Sequence, residues 1–105
     1  MLNKEKYKAF KSNAGLAYEE YSYFVEISEN KFICVGTRTY RNEGYSLGTI
    51  VTTTEDYNEI DYDKVIPKNE LEPTTDFELT LREELIDFII EQEQKIKKLE
   101  KQLES

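Results

Sequence analysis

Carboxylates are the groups with which this chain would do chemistry. Asp56, Glu59, Asp61 and Asp63 crowd into eight positions, with Tyr57 and Tyr62 between them. Paired carboxylates perform acid–base work when one of them is desolvated beside a cleft. Acids interleaved with tyrosines in a polar run read instead as a solvated surface. The segment opens like a calcium loop, but Ile60 stands at a ligand position, the glycine of the tight turn is missing and no glutamate closes it at the twelfth position. Histidine is absent altogether. That removes the usual neutral-pH base, the commonest zinc ligand and every Ser/His or Cys/His pairing. The single cysteine, Cys34, lies in the apolar run Phe32-Ile-Cys-Val-Gly36 and reads as a core thiol. One cysteine excludes an internal disulfide and fits a reducing compartment. Neither a phosphate-binding glycine-lysine motif nor a dinucleotide fingerprint occurs. The expectation is a protein that is not an enzyme and carries no metal or cofactor.

The charge balance bears on partners. The chain has 105 residues and a formal net charge of −8. Nine acids against Lys64 and Lys68 lie in Glu55–Glu78, and they account for seven of the eight net negative charges. Such a field repels nucleic acid and anionic membranes and attracts basic proteins. No apolar run approaches the ~20 residues of a membrane span, and no signal-peptide pattern follows the N-terminus. These features point to a cytoplasmic protein without direct contact to nucleic acid or membrane.

Elements to position these residues follow from periodicity. Tyr7, Phe10 and Ala14 fall at helical spacing, which predicts a short N-terminal helix over 2–12, stopped by Gly15. Lys4, Lys6, Lys8 and Lys11 surround it as a solvated face. Tyr21 to Ser28 alternate as a strand, Ser28 to Lys31 form a turn with Asn30 suited to positive φ, and Phe32 to Tyr40 make a second strand. Arg41 to Gly44 form a second turn before a third strand, Tyr45 to Thr54. Tyr62 to Ile66 make a short fourth strand that Pro67 ends. Short turns between consecutive strands predict an antiparallel meander of three to five strands over 18–66. The apolar residues of these strands do not share one parity, so both sheet faces need cover. Residues 55–78 form an acidic connector, and 1–79 together form one α+β domain.

Thr80-Leu-Arg-Glu83 is a capping box that starts a C-terminal helix over 80–105, with Thr75-Asp-Phe-Glu78 as an alternative start. Its first turns are apolar over most of the helix circumference and roof the sheet. Its later turns narrow to a heptad seam, with Ile89, Ile96 and Leu103 at a and Leu85, Gln92 and Leu99 at d. That seam predicts a homodimer. Lys95 and Glu100 would pair across a parallel arrangement, while an antiparallel pair or a four-helix cluster is the alternative.

Three functional classes fit. In the first, Asp56, Tyr57, Glu59, Asp61, Tyr62 and Asp63 dock on a basic protein, such as the groove of a nucleic-acid-binding enzyme. In general character, though through no motif, the chain resembles the small acidic proteins of phages and mobile elements, among them anti-CRISPR proteins. That resemblance implies inhibition of a nucleic-acid-binding or defence enzyme. In the second, Gly36, Arg38, Tyr40, Tyr45 and Gly48 frame a hollow for a small, nucleotide-like molecule, since glycines inside strands leave room for a ligand. In the third, the protein is an oligomeric adaptor.

Overall fold

The computed structural model describes residues 7–13, 16, 18–38, 44–56, 58–75 and 79–104. Strands β1 (Ala9–Ser12), β2 (Tyr21–Ser28), β3 (Lys31–Arg38), β4 (Ile50–Thr54), β5 (Val65–Pro67) and β6 (Glu72–Pro73) form one sheet in the order β5-β4-β3-β2-β1-β6. A 3-10 turn, Lys68–Glu70, lies between β5 and β6, and the chain ends in helix α1 (Glu83–Glu104). The α+β class therefore holds.

The sheet curls, and chain length shows why it must. β5 and β6 occupy opposite edges of the sheet, yet only Lys68 to Leu71 separate them. Crossing a flat sheet of this width requires roughly 24 Å, at ~4.8 Å per strand step. The five residue steps from Pro67 to Glu72 reach at most about 18 Å. Bringing the edges together creates an inner face, where Phe24, Phe32, Cys34, Tyr45, Val51 and Ile66 are buried with Phe10, Tyr62 and Leu71 against them. The outer face buries Tyr23, Val25, Ile27, Ile33 and Val35 under Ile86 of α1. The β2–β3 hairpin thus has apolar side chains on both faces, which explains its mixed parity.

Four expectations are corrected. The predicted helix over 2–12 is instead strand β1 at Ala9–Ser12, while residues 1–6, Ala14 and Gly15 lie outside the described part. The two-residue period was the operative one: Tyr7 and Ala9 join the outer core, and Phe10 joins the inner one. The free edge of β2 supplies the backbone partners, pairing Phe10 with Phe24 and Ser12 with Ser22. Second, the sheet is mixed rather than an antiparallel meander. β1 to β4 run antiparallel in sequence, but β5 pairs with β4 in parallel, and β6 crosses to pair with β1. Pro67, which has no N–H to donate, sits at the end of edge strand β5.

Third, the strand expected from Tyr45 begins only at Ile50. Gly48 has φ +84 in a turn closed by Thr49 N–H to Ser46 C=O, and this frees Tyr45 to enter the core. Fourth, α1 starts at Glu83 rather than Thr80, with Ile86 N–H donating to Arg82 C=O. A bulge explains the delay. Tyr23 faces Gly36 while Phe24 faces Cys34, so Val35 is the extra residue in β3. Its carbonyl accepts both Thr80 N–H (2.8 Å) and Leu81 N–H (3.0 Å). The alternative start around Asp76, Phe77 and Glu78 lies outside the described residues.

Ile86, fully buried, then seats the helix, with half-buried Ile89 and Ile90 beside it. Two polar ties assist. Tyr7 Oη donates to Asp87 Oδ1 at 2.7 Å, and Lys31 Nζ meets Glu93 Oε2 at 3.3 Å. Beyond Glu93 the helix leaves the sheet, and Ile96 and Leu99 are exposed. The radius of gyration is 14.1 Å, against about 13 Å for a compact chain of ~100 residues. An elongated molecule with one helix extending past the domain fits that excess. Ile86→Ala is expected to cost about 2–5 kcal/mol in urea unfolding, whereas Ile96→Ala in dilute solution costs less than about 0.5 kcal/mol.

Candidate functional site

Parallel neighbours such as β4 and β5 need a crossover, and residues 55–64 supply it with no helix among the described residues. The loop is held from within by its own acids. Asp56 Oδ1 accepts Asn58 N–H at 3.0 Å, and Asp61 Oδ1 accepts Asp63 N–H at 3.0 Å. Both are Asx turns, in which a short carboxylate replaces a backbone acceptor. Thr54 Oγ1 accepts Asp56 N–H at 3.2 Å and donates to Glu59 Oε2 at 3.4 Å. A tight turn from Asp61 to Val65 returns the chain to the sheet, where Thr52 N–H reaches Lys64 C=O.

The structure separates the expected contact residues into two groups. Asp56, Glu59 and Asp63 are exposed on this loop, and Asp61 is half-buried. Tyr62 turns inward. Its ring meets Tyr45 edge-on at 4.9 Å, Tyr45 meets Phe24 edge-on at 5.2 Å, and Tyr45 Oη donates to Val65 C=O at 2.9 Å. Tyr62 therefore anchors the loop in the inner core, while Ile60, 40% exposed, is the apolar side chain presented beside the acids. Tyr57 lies outside the described residues. Glu55 meets Lys68 at 3.8 Å with both side chains largely in solvent, a pairing worth little.

Among the described residues expected to frame a hollow, Gly36, Tyr45 and Gly48 lie close to Cys34, but Gly36 and Tyr45 are buried there. Gly36 is buried opposite Tyr23 at the bulge, and Tyr45 is in the core. Arg38 is exposed at the end of β3, where no ion pair joins it to the acidic loop among the described residues. Gly48 occupies a turn in which an added Cβ would meet open space. Tyr40 and Arg41 lie outside the described part.

A cleft does exist elsewhere. It has a volume of about 600 Å³ and lies where the curled edges approach the β2–β3 turn and α1. Phe10, Phe32, Leu71 and Pro73 contribute apolar surface, while Lys68 and Lys97 bring amines. Phe10 and Phe32 contact each other edge-to-face at 5.2 Å. Strands, connector and helix each supply one side, so no local motif announces it. The signal available was the shortness of the Pro67-to-Pro73 connector.

Three groups with reactive hydrogens, Cys34, Tyr7 and Tyr45, are buried. Cys34 is fully buried, with Sγ 3.6 Å from Gly36 C=O and 3.8 Å from Tyr45 C=O. Burial pushes its thiol up to about 11 from an ordinary 9.0. Burial, followed by the Asp87 carboxylate, raises the Tyr7 phenol, and burial followed by Tyr62 and Asp61 raises that of Tyr45. Among the described residues no cluster of His, Cys, Asp and Glu could hold a metal ion, and no helix is long and apolar enough to cross a membrane. No family model, curated protein or solved structure matches the chain.

Cys34 yields a pH prediction. Its folded pKa lies above its unfolded value, so its contribution to stability is complete below pH ~9 and is lost as pH rises toward ~11. Urea midpoints are expected to fall across that window in the wild type and to fall less in Cys34→Ala. Alkylation of Cys34 at pH 8 is expected to proceed only as fast as the domain opens.

Proposed function

We propose that this protein is a protein-binding module that docks the β4–β5 loop on a basic surface. The nucleic-acid groove of an enzyme is the partner surface whose chemistry fits best. The observation that carries the reading is the loop's fixed geometry: Asp56, Glu59 and Asp63 are exposed on a backbone held by two Asx turns and by Tyr62 in the core. Carboxylates fixed before binding avoid the ordering cost that a flexible acidic tail would incur. Their charge steers association with a cationic surface, and Ile60 adds apolar contact that slows dissociation. The same logic applies to small acidic phage inhibitors of defence enzymes, which the chain resembles in general character. Docking requires no catalysis, metal or cofactor.

A second reading, capture of a small molecule, is favoured by the cleft near Phe10 and Phe32, whose volume suits a drug-sized ligand. A shift of thermal midpoint with nucleotides or aromatic acids, lost in Phe32→Ala, would support it over docking.

The test of docking uses isosteres that preserve the turns. Asp56→Asn and Asp61→Asn keep an oxygen for each Asx turn, and Glu59→Gln and Asp63→Asn complete the removal of four charges. Wild-type protein immobilised in cell lysate is expected to retain a basic nucleic-acid-binding protein that ~0.5 M salt releases. The quadruple variant, with an unchanged thermal midpoint, is expected to lose that protein by at least tenfold. Equal retention by the variant would reject the loop as the docking surface.

A further inference from the structure

Helix α1 carries a second apolar face. Ile86, Ile90 and Glu93 turn toward the domain, Glu93 with a side chain only 13% exposed. At ~100° per residue, Leu85, Phe88, Gln92, Ile96 and Leu99 form a stripe turned roughly 130° away from that face. Leu85, Phe88, Ile96 and Leu99 are 44%, 56%, 46% and 58% exposed, more than isolated surface apolar residues require.

The order of this stripe identifies its occupant. Leu85 and Leu99 lie seven residues either side of Gln92, and Phe88 and Ile96 lie four either side. The face therefore reads alike in both directions and matches a reversed copy of itself, as a two-fold interface requires. Charge agrees. Glu83, Glu84, Asp87, Glu91 and Glu93 occupy the first half of α1, while Lys95, Lys97, Lys98 and Lys101 dominate the second over Glu100 and Glu104. Antiparallel copies lay acidic half on basic half, with Glu84 near Lys98 and Glu91 near Lys95 of the second copy. Parallel copies lay like on like. The pairing of Glu91 with Lys95 at 3.8 Å is exposed and readily exchanged.

We propose that the protein forms an antiparallel homodimer through α1, with Gln92 on the two-fold axis, Leu85 packed on Leu99 of the second copy and Phe88 on Ile96. Gln92 carries both donor and acceptor, so the two amides satisfy each other across the axis and fix the register. The stripe runs about 21 Å along the helix. Two such faces bury on the order of 1,000 Å², about the lower bound for a specific interface. The surface is separate from the β4–β5 loop, so the dimer stands or falls independently of the docking proposal.

Sedimentation equilibrium of the full chain from ~1 μM to ~1 mM is expected to show the mass doubling. Ile96→Asp with Leu99→Asp is expected to keep the chain monomeric throughout, with the dilute thermal midpoint unchanged because both side chains are exposed. For orientation, chains carrying Leu85→Cys are mixed with chains carrying Leu99→Cys under mild oxidation; buried Cys34 does not compete. The mixed disulfide is expected to outpace the Leu99→Cys homodimer by more than tenfold. A monomer at ~1 mM, a dimer that survives the double aspartate variant, or a Leu99→Cys chain that cross-links to itself as fast as to its mixed partner would each overturn the proposal.

Discussion

One backbone carbonyl organises the molecule. In a regular β3, Val35 C=O would complete the ladder with β2. The bulge releases it, and it accepts the N–H groups of Thr80 and Leu81. A buried carbonyl left without a partner costs about 1–3 kcal/mol, so the bulge and the lead-in to the helix stabilise each other. This contact fixes where α1 begins and aims its first turns along the outer face of β2 and β3. Ile86 then closes the outer core, and Tyr7–Asp87 and Lys31–Glu93 set the angle.

Burial on both faces of a short hairpin is the second constraint. A chain of this size has little apolar surface to spare, and much of it is concentrated in β2 and β3. The inner face is covered by curling the sheet, and the outer face by half of one helix. The fold then leaves two features unburied. The β4–β5 loop must bridge parallel strands outside the barrel-like interior, and its acids shape its turns while remaining in solvent. The distal half of α1 extends past the sheet and exposes its apolar stripe. Both candidate surfaces are thus consequences of how the core is closed.

Much of this was legible in the sequence. The β2 strand, the Asn30 turn (φ 62) and the existence of the C-terminal helix follow directly from local patterns. So does the need to cover two sheet faces, from the mixed parity of Val25, Phe32, Ile33 and Cys34. Long-range features were not legible. Tyr7 and Phe10 suit a helix or a strand equally over so short a run, and only the open edge of β2 decides between them. The parallel partnership of β4 and β5 has no local signature, because their connection shows no helix among the described residues. Thr80 has every property of an N-cap, but its N–H is committed to Val35. Within the acidic segment, the sequence placed a short strand near Val65 but started it at Tyr62, read 55–78 as one connector where β5 and β6 lie, and could not distinguish Tyr62 as an inward anchor from Ile60 as an exposed side chain.

Helix α1 divides into a half packed on the sheet and a half whose side chains are exposed from Gln94 to Gln102. Native-state hydrogen exchange read residue by residue tests this division most directly. In dilute protein, the amides of Thr80 and Leu81 and those from Ile86 to Glu93 should be protected nearly as well as β2 and β3. Amides from Ile96 onward should exchange orders of magnitude faster and slow as concentration rises. Uniform protection along α1 at high dilution, or rapid exchange at Thr80 and Leu81, would contradict the account.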